Sequence, residues 1–263
     1  MKTKLNGIEV NYEIHGKEGA PWLTFSHSLA CSLRMWDPQL AAFQDRFRIL
    51  LYDTRGHGGS EAPKGAYTLD MLGEDLRQLL AELNIKRTHY VGLSMGGMIG
   101  QVVALTDPGL FDRVVLADTA HTQTPETKKQ WEERIKTAET RGMQPLVQPT
   151  LERWFTKAFL DRPVVKKIGE LIGSTPVPGY VGCCHAISNL NTTARLKDIR
   201  NPVLAITGEQ DAAAPGTRYI GENVPGAKLV VIPQAAHIAN IEQPEAFNRA
   251  LAEFLSSPAS ARA

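Results

Sequence analysis

The chain has 263 residues, of which 43% are hydrophobic and 22% charged, and its formal net charge is +1 at pH 7. That length accommodates one large α/β domain with a sizeable core, and the near-zero charge argues against a nucleic-acid or anionic-membrane partner. The N-terminus lacks the apolar core of a signal peptide and no stretch approaches the ~18 apolar residues of a membrane span, so we expect a cytoplasmic protein.

Strands and helices alternate from the N-terminus to about residue 121. Asn6-Gly7 is a strong two-residue turn sequence and predicts a hairpin over residues 5–14. Thr68 fits a helix N-cap, and the leucines that follow it recur at three- and four-residue intervals, which is typical of an amphipathic helix. The other elements predicted here are strands over 21–26, 47–52, 89–91 and 113–117, a short helix over 36–43, and a helix that begins near residue 95.

A second alternating region begins near Pro202. It contains predicted strands over 203–207 and 228–232, predicted helices over 217–223 and 244–255, and a small polar tail, 256–263, that we expect to be frayed. In the segment between the two alternating regions the patterns are helical instead, over 131–140, 151–159 and 164–172, with a turn-rich stretch at 174–179.

These patterns predict an α/β fold in which a mostly parallel central sheet carries helices on both faces. Residues 1–121 and 196–263 form the predicted core, and residues 122–195 form a helical lid inserted after the sixth strand. Ligands of such sheets bind beyond the carboxyl ends of the strands, so residues directly after strands are the candidates for a site.

The three cysteines, Cys31, Cys183 and Cys184, are odd in number, and the adjacent pair lacks metal-ligand spacing. We therefore predict reduced thiols that pack as small apolar residues.

The sequence Gly92-Leu93-Ser94-Met95-Gly96-Gly97 follows a predicted strand and precedes a predicted helix. A serine on such a sharp turn needs small neighbours, because strand and helix approach each other closely there. The turn lifts the serine hydroxyl out of the sheet, where a histidine can reach it. Ser94 is therefore the candidate nucleophile, and the alternative is a glycine-rich turn without chemistry.

A serine nucleophile requires a base. Of the seven histidines, His237 is the one that follows the last predicted strand, and the chain order nucleophile, acid, histidine then indicates it as the base. His27 and His57 also follow strands, but they precede the serine, and we interpret them as loop-shaping residues.

The base requires an acid, which should follow a strand between the serine and the histidine. Asp211 is favoured because it lies one strand before the histidine loop, while Asp118 and Glu209 remain alternatives. The oxyanion needs two donors: the backbone N–H of Met95, directly after the serine, and one from the loop after the third strand. That loop indicates Leu29, with Ser28 as the adjacent possibility.

Taken together, these residues resemble the α/β-hydrolase superfamily and, within it, the 3-oxoadipate enol-lactonases. The similar segments are 27–29, 35–39, 52–58, 92–97, 151–155, 179–184, 207–211 and 236–244. The turn at 92–97 that carries Ser94 and the loops that carry the acid and the histidine are shared across the superfamily. The segments 151–155 and 179–184 are more specific to the family. The chain departs from the family's more usual asparagine and glycine at His27 and Ala30, which border the oxyanion loop.

The resemblance implies a serine hydrolase that opens 3-oxoadipate enol-lactone to 3-oxoadipate through an acyl-enzyme, with no metal or organic cofactor. Such a substrate carries a carboxylate, which a cation in the pocket would bind. Arg134 is the candidate cation, and Trp131 and Trp154 are the candidate apolar walls. The alternatives are a solvated helix face for Arg134 and packing of the lid on the core for the tryptophans.

Two other functions remain open for the same scaffold. One is a different serine hydrolase, such as a carboxylesterase, another lactonase, a carbon–carbon bond hydrolase or a perhydrolase. The other is a hydrolase-fold receptor that binds its ligand with little or no turnover. In each case the partner is a small molecule, and the chain is a monomer or a homodimer.

Overall fold

A computed structural model describes residues 1–256, so the predicted fraying of the tail concerns residues that lie almost entirely outside the described range. Within that range eight strands form one sheet: β1 (Lys2–Leu5), β2 (Ile8–Gly16), β3 (Trp22–Ser26), β4 (Arg48–Tyr52), β5 (Thr88–Leu93), β6 (Phe111–Ala117), β7 (Val203–Gly208) and β8 (Lys228–Ile232). Their order across the sheet is β1-β2-β4-β3-β5-β6-β7-β8. The β1–β2 and β2–β4 pairs are antiparallel and the other pairs parallel, which confirms the predicted mostly parallel sheet.

The α-helices of the described residues are α1 (Asp37–Phe43), α2 (Leu69–Glu82), α3 (Met95–Thr106), α4 (Pro125–Arg141), α5 (Gln144–Trp154), α6 (Pro163–Ser174), α7 (Val177–Ser188), α8 (Ala214–Asn223), α9 (Ala239–Glu242) and α10 (Pro244–Ser256). The α2 and α3 helices pack on each other, and α3 also packs on β5 and β6. The α1 and α10 helices form a second packed pair, and α8 packs on β7. None of these helices is long and apolar enough to cross a membrane.

Local sequence accounts for the elements that were predicted most directly. Asn6 and Gly7 have φ values of 45° and 75°, the left-handed region that a tight hairpin turn requires. The Thr68 side chain accepts the Met71 N–H at 3.0 Å, so it caps α2 as expected. The leucines of α2 face the core, and Leu76 is fully buried.

The segment between β6 and β7 contains four α-helices, α4 to α7, and the sequence prediction of three helices was incomplete. The fourth helix, α7, begins inside the stretch 174–179 that was predicted to be turn-rich. Proline is tolerated in the first turn of a helix, where its missing N–H has no intrahelical partner anyway. Gly179 does not break the helix; it packs backbone to backbone on Gly56, where a Cβ atom would clash.

The two ends of this segment lie side by side. Thr122 and Asn191 form an isolated antiparallel bridge, and the Thr192 N–H donates to the His121 carbonyl at 2.8 Å. The paired ends are compatible with an insertion between β6 and β7, but the boundaries of the predicted core and lid remain predictions. We call residues 122–195 the insertion.

Candidate active site

Ser94 lies on the turn between β5 and α3, with φ of 56° and ψ of −113°. Few L-residues adopt such a backbone conformation, and strain of this kind costs of order 1–3 kcal/mol. The Ser94 N–H donates to the Ala117 carbonyl at 2.8 Å, which ties the turn to β6. A Cβ atom at Gly92 would clash with the Gly96 backbone, and one at Gly96 would clash with Ser26. The flanking glycines therefore permit the close approach of strand and helix.

His237 and Asp211 lie in the loops after β8 and β7 and contact each other. His237 Nδ1 is 3.0 Å from Asp211 Oδ1, which also accepts the Ala213 N–H at 3.0 Å. Burial opposes the charged form of Asp211, but the interaction with His237 outweighs it and lowers the pKa of Asp211 below its ordinary value. A charged Asp211 accepts a hydrogen bond from the Nδ1–H group, which leaves His237 Nε2 as the basic nitrogen.

The other two candidate acids have different partners. Asp118, which follows β6, accepts the Gly208 N–H through Oδ1 at 2.7 Å. Glu209 accepts the Gln234 N–H through Oε2 at 3.3 Å. Among the three, Asp211 is the carboxylate that is hydrogen-bonded to His237.

Glu242 in α9 connects the histidine loop to the insertion. Its Oε2 accepts the Ala236 N–H at 2.8 Å, and its Oε1 accepts the Thr156 N–H at 3.0 Å. Next to this contact, the Ile238 N–H donates to the Trp154 carbonyl at 3.2 Å. The histidine is thus flanked by two residues whose backbone N–H groups are fixed. Sequence reasoning did not single out Glu242, because one acidic residue in a helix carries no pattern.

Two buried histidines anchor the loop after β3. His27 Nδ1 donates to the Ser28 carbonyl at 2.7 Å, and His57 Nε2 accepts the Ala30 N–H at 2.9 Å. Leu29 lies between these anchors, and its N–H has no acceptor within residues 1–256. Ala30 has a φ of 58°, in the left-handed region that favours glycine, and this is the position where the resemblance led us to expect one.

The tautomers of both histidines follow from their remaining partners. His27 Nε2 accepts the Thr54 N–H at 2.9 Å, and His57 Nδ1 donates to the Arg55 carbonyl at 3.2 Å. Each ring is therefore neutral, with the proton on Nδ1. Burial lowers the pKa of His27, and burial together with the neighbouring His27 lowers the pKa of His57 to about 3. The two residues are specific anchors of the loop after β3, a more definite role than loop shaping.

A cavity of about 570 Å³ brings most of the predicted site residues together. Its lining includes Leu29, Ser94, Trp131, Arg134, Trp154, Asp211 and His237. Ser28 and Asp118, the alternatives for two roles, also line it. Met95 does not; its side chain is buried, and the residue is the first of α3, where a helix leaves its N–H unpaired. The Trp154 ring lies 6.0 Å from the His237 ring, centroid to centroid.

Two arginines of the insertion line this cavity. The Arg134 guanidinium lies 4.4 Å from the centre of the Trp131 ring, and Arg153 donates to the Thr150 hydroxyl at 3.0 Å. Neither arginine has a carboxylate within ion-pair distance among residues 1–256. Partial burial and the charge of Arg134 lower the pKa of Arg153 to about 10, so it remains a cation near neutrality.

Sequence reasoning named Arg134 and missed Arg153. Arg153 adjoins Trp154 in the segment 151–155 that carried the family resemblance, and this was the available indication that it lines the site. Its orientation toward the cavity depends on how α5 packs, which residue type does not reveal.

The cysteines have no part in this site. Cys31, Cys183 and Cys184 are buried and free of disulfides. Burial raises the pKa of Cys31 and of Cys184 to about 12, which makes each thiol a poor nucleophile. No group of three or more His, Cys, Asp or Glu side chains within the described range is arranged to hold a metal ion.

Comparison with known proteins agrees with this architecture. The family model of the alpha/beta hydrolase fold matches residues 21–244. The 3-oxoadipate enol-lactonase 2 of Acinetobacter baylyi is 38% identical over 249 residues, which cover 93% of this chain and 92% of that protein. The putative carbamate hydrolase RutD of Agrobacterium fabrum is 31% identical over 259 residues, covering 94% and 98% respectively.

Solved structures show the same relationship. The crystal structure of the enol-lactonase from Burkholderia xenovorans superimposes with a TM-score of 0.94 at 38% identity, over 98% of this chain and 100% of that one. Because both the family match and these identities extend over most of the chain, the protein belongs to the α/β-hydrolase family and is a hydrolase similar to the 3-oxoadipate enol-lactonases.

Proposed function

We propose that the protein hydrolyses an enol-lactone that bears a carboxylate, with 3-oxoadipate enol-lactone as the leading candidate. Ser94, His237 and Asp211 act as its catalytic triad. The observation that carries the proposal is the shared cavity, lined by Ser94 and the Asp211-bonded His237 from the sheet and by Arg134 and Arg153 from the insertion. The enol-lactonases among its relatives support the same substrate class.

In the proposed acylation step, His237 Nε2 takes the proton of Ser94 Oγ as that oxygen attacks the lactone carbonyl carbon. The N–H groups of Leu29 and Met95 bind the oxyanion of the tetrahedral intermediate, and loss of one such donor typically costs about 10²–10³ in rate. The intermediate then expels the ring oxygen as an enolate. His237 then returns its proton to that oxygen, which leaves the imidazole neutral, and the resulting enol tautomerises to a ketone, while the acyl carbon stays bound to Ser94 as an ester.

In the proposed deacylation step, His237 removes a proton from water, and the water oxygen attacks the ester carbon. The Ser94 oxygen leaves and recovers its proton from His237. The product is an oxo acid with one more carboxylate than the substrate. Asp211 stabilises the imidazolium of His237 in both steps, because its carboxylate stays charged and accepts a hydrogen bond from Nδ1–H throughout.

The two arginines support a substrate with a negative charge. A cation without a carboxylate partner inside a cavity is stabilised when an anion binds there, and a charge-assisted hydrogen bond contributes about 1.5–3 kcal/mol. Arg153 is partly exposed to solvent, so its share should lie at the lower end of that range. Trp131 and Trp154 supply apolar surface for the ring and the carbon chain.

The nucleophile is tested by labelling with a serine-directed fluorophosphonate, on the natural protein and on Ser94→Ala. We expect labelling of the first and none of the second. Equal labelling of the two proteins would refute the assignment of Ser94.

The substrate class is tested by comparing 3-oxoadipate enol-lactone with its methyl ester, which has the same ring but no free carboxylate. We expect kcat/KM to favour the free acid by about tenfold or more. Arg134→Met and Arg153→Met should each reduce that preference, whereas Arg141→Met should not, because Arg141 is exposed at the end of α4 and does not line the cavity. Equal rates for acid and ester, or faster turnover of a neutral aryl ester or a carbamate, would favour another hydrolase of the fold.

A further inference from the structure

A second buried carboxyl lies against the proposed triad and has no role in it. Asp118 follows β6, Asp211 follows β7, and these strands are neighbours in the sheet. Asp118 has no exposed surface, and the Asp211 side chain is 2% exposed. The Asp118 backbone is held in place by its N–H, which donates to the Ile206 carbonyl at 2.8 Å.

Each of the two carboxyls has one oxygen that is satisfied and one that is not. Asp118 Oδ1 accepts the Gly208 N–H, and Asp211 Oδ1 accepts His237 Nδ1 and the Ala213 N–H. Asp118 Oδ2 and Asp211 Oδ2 are buried and have no hydrogen-bond donor among the protein groups of residues 1–256. Both residues line the same cavity, and a hydrogen bond from the Asp118 side chain is among the interactions that lower the pKa of Asp211. Two ionised carboxylates cannot satisfy each other, but one shared proton satisfies both oxygens.

We propose that Asp118 is a protonated carboxylic acid that donates a hydrogen bond to Asp211 Oδ2 and thereby positions Asp211 against His237. The hydrogen bond leaves Asp211 charged and directs its other oxygen to the imidazole. Asp118 is thus a positioning residue, since it acts through Asp211. The inference rests on the proposed triad.

The surrounding charges favour this distribution of the proton. Burial, followed by the negative charge of Asp211, raises the pKa of Asp118 well above its ordinary value. The Gly208 N–H, the Thr207 hydroxyl and the Ala239 N–H favour the charged form, but they do not offset burial and the charge of Asp211. The ionisable groups that bear on the site are Asp211 and, through it, His237. With the proton on Asp118, the one negative charge of Asp211 faces the imidazolium that develops on His237.

Infrared spectroscopy tests the protonation state without measuring activity. At pH 7 we expect a carbonyl stretch of a protonated carboxylic acid, shifted in deuterated water and absent from Asp118→Asn. A natural protein without that band, or a variant that retains it, would overturn the inference. Because no substrate is used, this result is independent of whether the proposed enol-lactonase activity or the nucleophile assignment fails.

The pH profile of kcat/KM tests the positioning role. Asparagine is a neutral near-isostere that can donate to Asp211 Oδ2 and accept the Gly208 N–H, so the acid limb of Asp118→Asn should stay within about 0.3 pH unit of the natural protein. If Asp118 were ionised, the same substitution would remove a negative charge beside the His237–Asp211 pair. The acid limb would then move down by about one unit or more, and the inference would fail.

Asp118→Ala removes the donor instead. The His237–Asp211 pair should then bind its proton more tightly, so the acid limb should move up, and kcat/KM should be about tenfold or more below that of Asp118→Asn. Indistinguishable profiles for the two variants would refute the donor role. Circular dichroism checks that Asp118→Ala folds; if it does not, the infrared band and the Asp118→Asn profile still decide the question.

Discussion

His57 should make the loop after β3, the proposed oxyanion loop, sensitive to acid. Its Nε2 accepts the Ala30 N–H, and its Nδ1 proton is donated to the Arg55 carbonyl, so a second proton on the ring would face the N–H donor of Ala30. Burial, with the nearby His27, lowers the pKa of His57 from 6.5 to about 3. In the unfolded chain the ring takes up a proton near its ordinary pKa, while in the folded protein it does not.

The sign of the effect follows from proton linkage. Between pH 6.5 and about 3 the unfolded state binds one proton more than the folded state, so the free energy of unfolding falls as the pH falls through this window. Each pH unit corresponds to 1.36 kcal/mol, and the whole window to about 5 kcal/mol. Between pH 7 and pH 5 the contribution of His57 is about 2 kcal/mol, or roughly 4–8 °C in Tm for a domain of this size.

The assay is urea unfolding of the natural protein and of His57→Gln at pH 7, 6 and 5. Glutamine can accept the Ala30 N–H but does not titrate. Between pH 7 and pH 5 the free energy of unfolding of His57→Gln should therefore fall by about 2 kcal/mol less than that of the natural protein. His57→Ala also does not titrate, but it leaves the Ala30 N–H unpaired and should already be less stable than His57→Gln at pH 7, by about 1–3 kcal/mol. A decline as steep in His57→Gln as in the natural protein would refute the reasoning.

Four other substitutions probe the site and its supports. Asp211→Asn should lower kcat by about 10³–10⁴-fold, whereas Glu209→Gln should change it by less than about twofold; the reverse order in steady-state assays would make Glu209 the acid. Ala30→Gly should maintain or raise the Tm, because glycine adopts a φ of 58° without the cost of about 1 kcal/mol or more that a Cβ atom brings. A clear drop in Tm would contradict this account of the loop. Gly179→Ala should destabilise the protein by about 1–3 kcal/mol in urea unfolding, since its Cβ atom would clash with the Gly56 backbone; an unchanged midpoint would show that α7 can shift freely.

The sequence alone determined those features that depend on local backbone requirements. The Asn6-Gly7 turn needs a backbone that few residues adopt, and the turn at Ser94 needs glycines where strand and helix approach closely, so in both places the glycines indicate the structure directly. The alternation of strands and helices established the parallel sheet. The sheet in turn placed the residues after each strand at one edge, and this led to His237.

Only the tertiary structure decided between Asp118 and Asp211 as the partner of His237. Both follow neighbouring strands, and the difference is one of loop geometry over a few ångströms. The helix α7 was missed for a related reason: Gly179 looks like a helix breaker in isolation, and its packing on Gly56 joins residues far apart in the chain. The orientation of Arg153 toward the cavity and the anchoring of Ala30 by His57 are likewise contacts between distant segments. Such contacts depend on how elements pack, and residue type and spacing specify only which side chains are available for them.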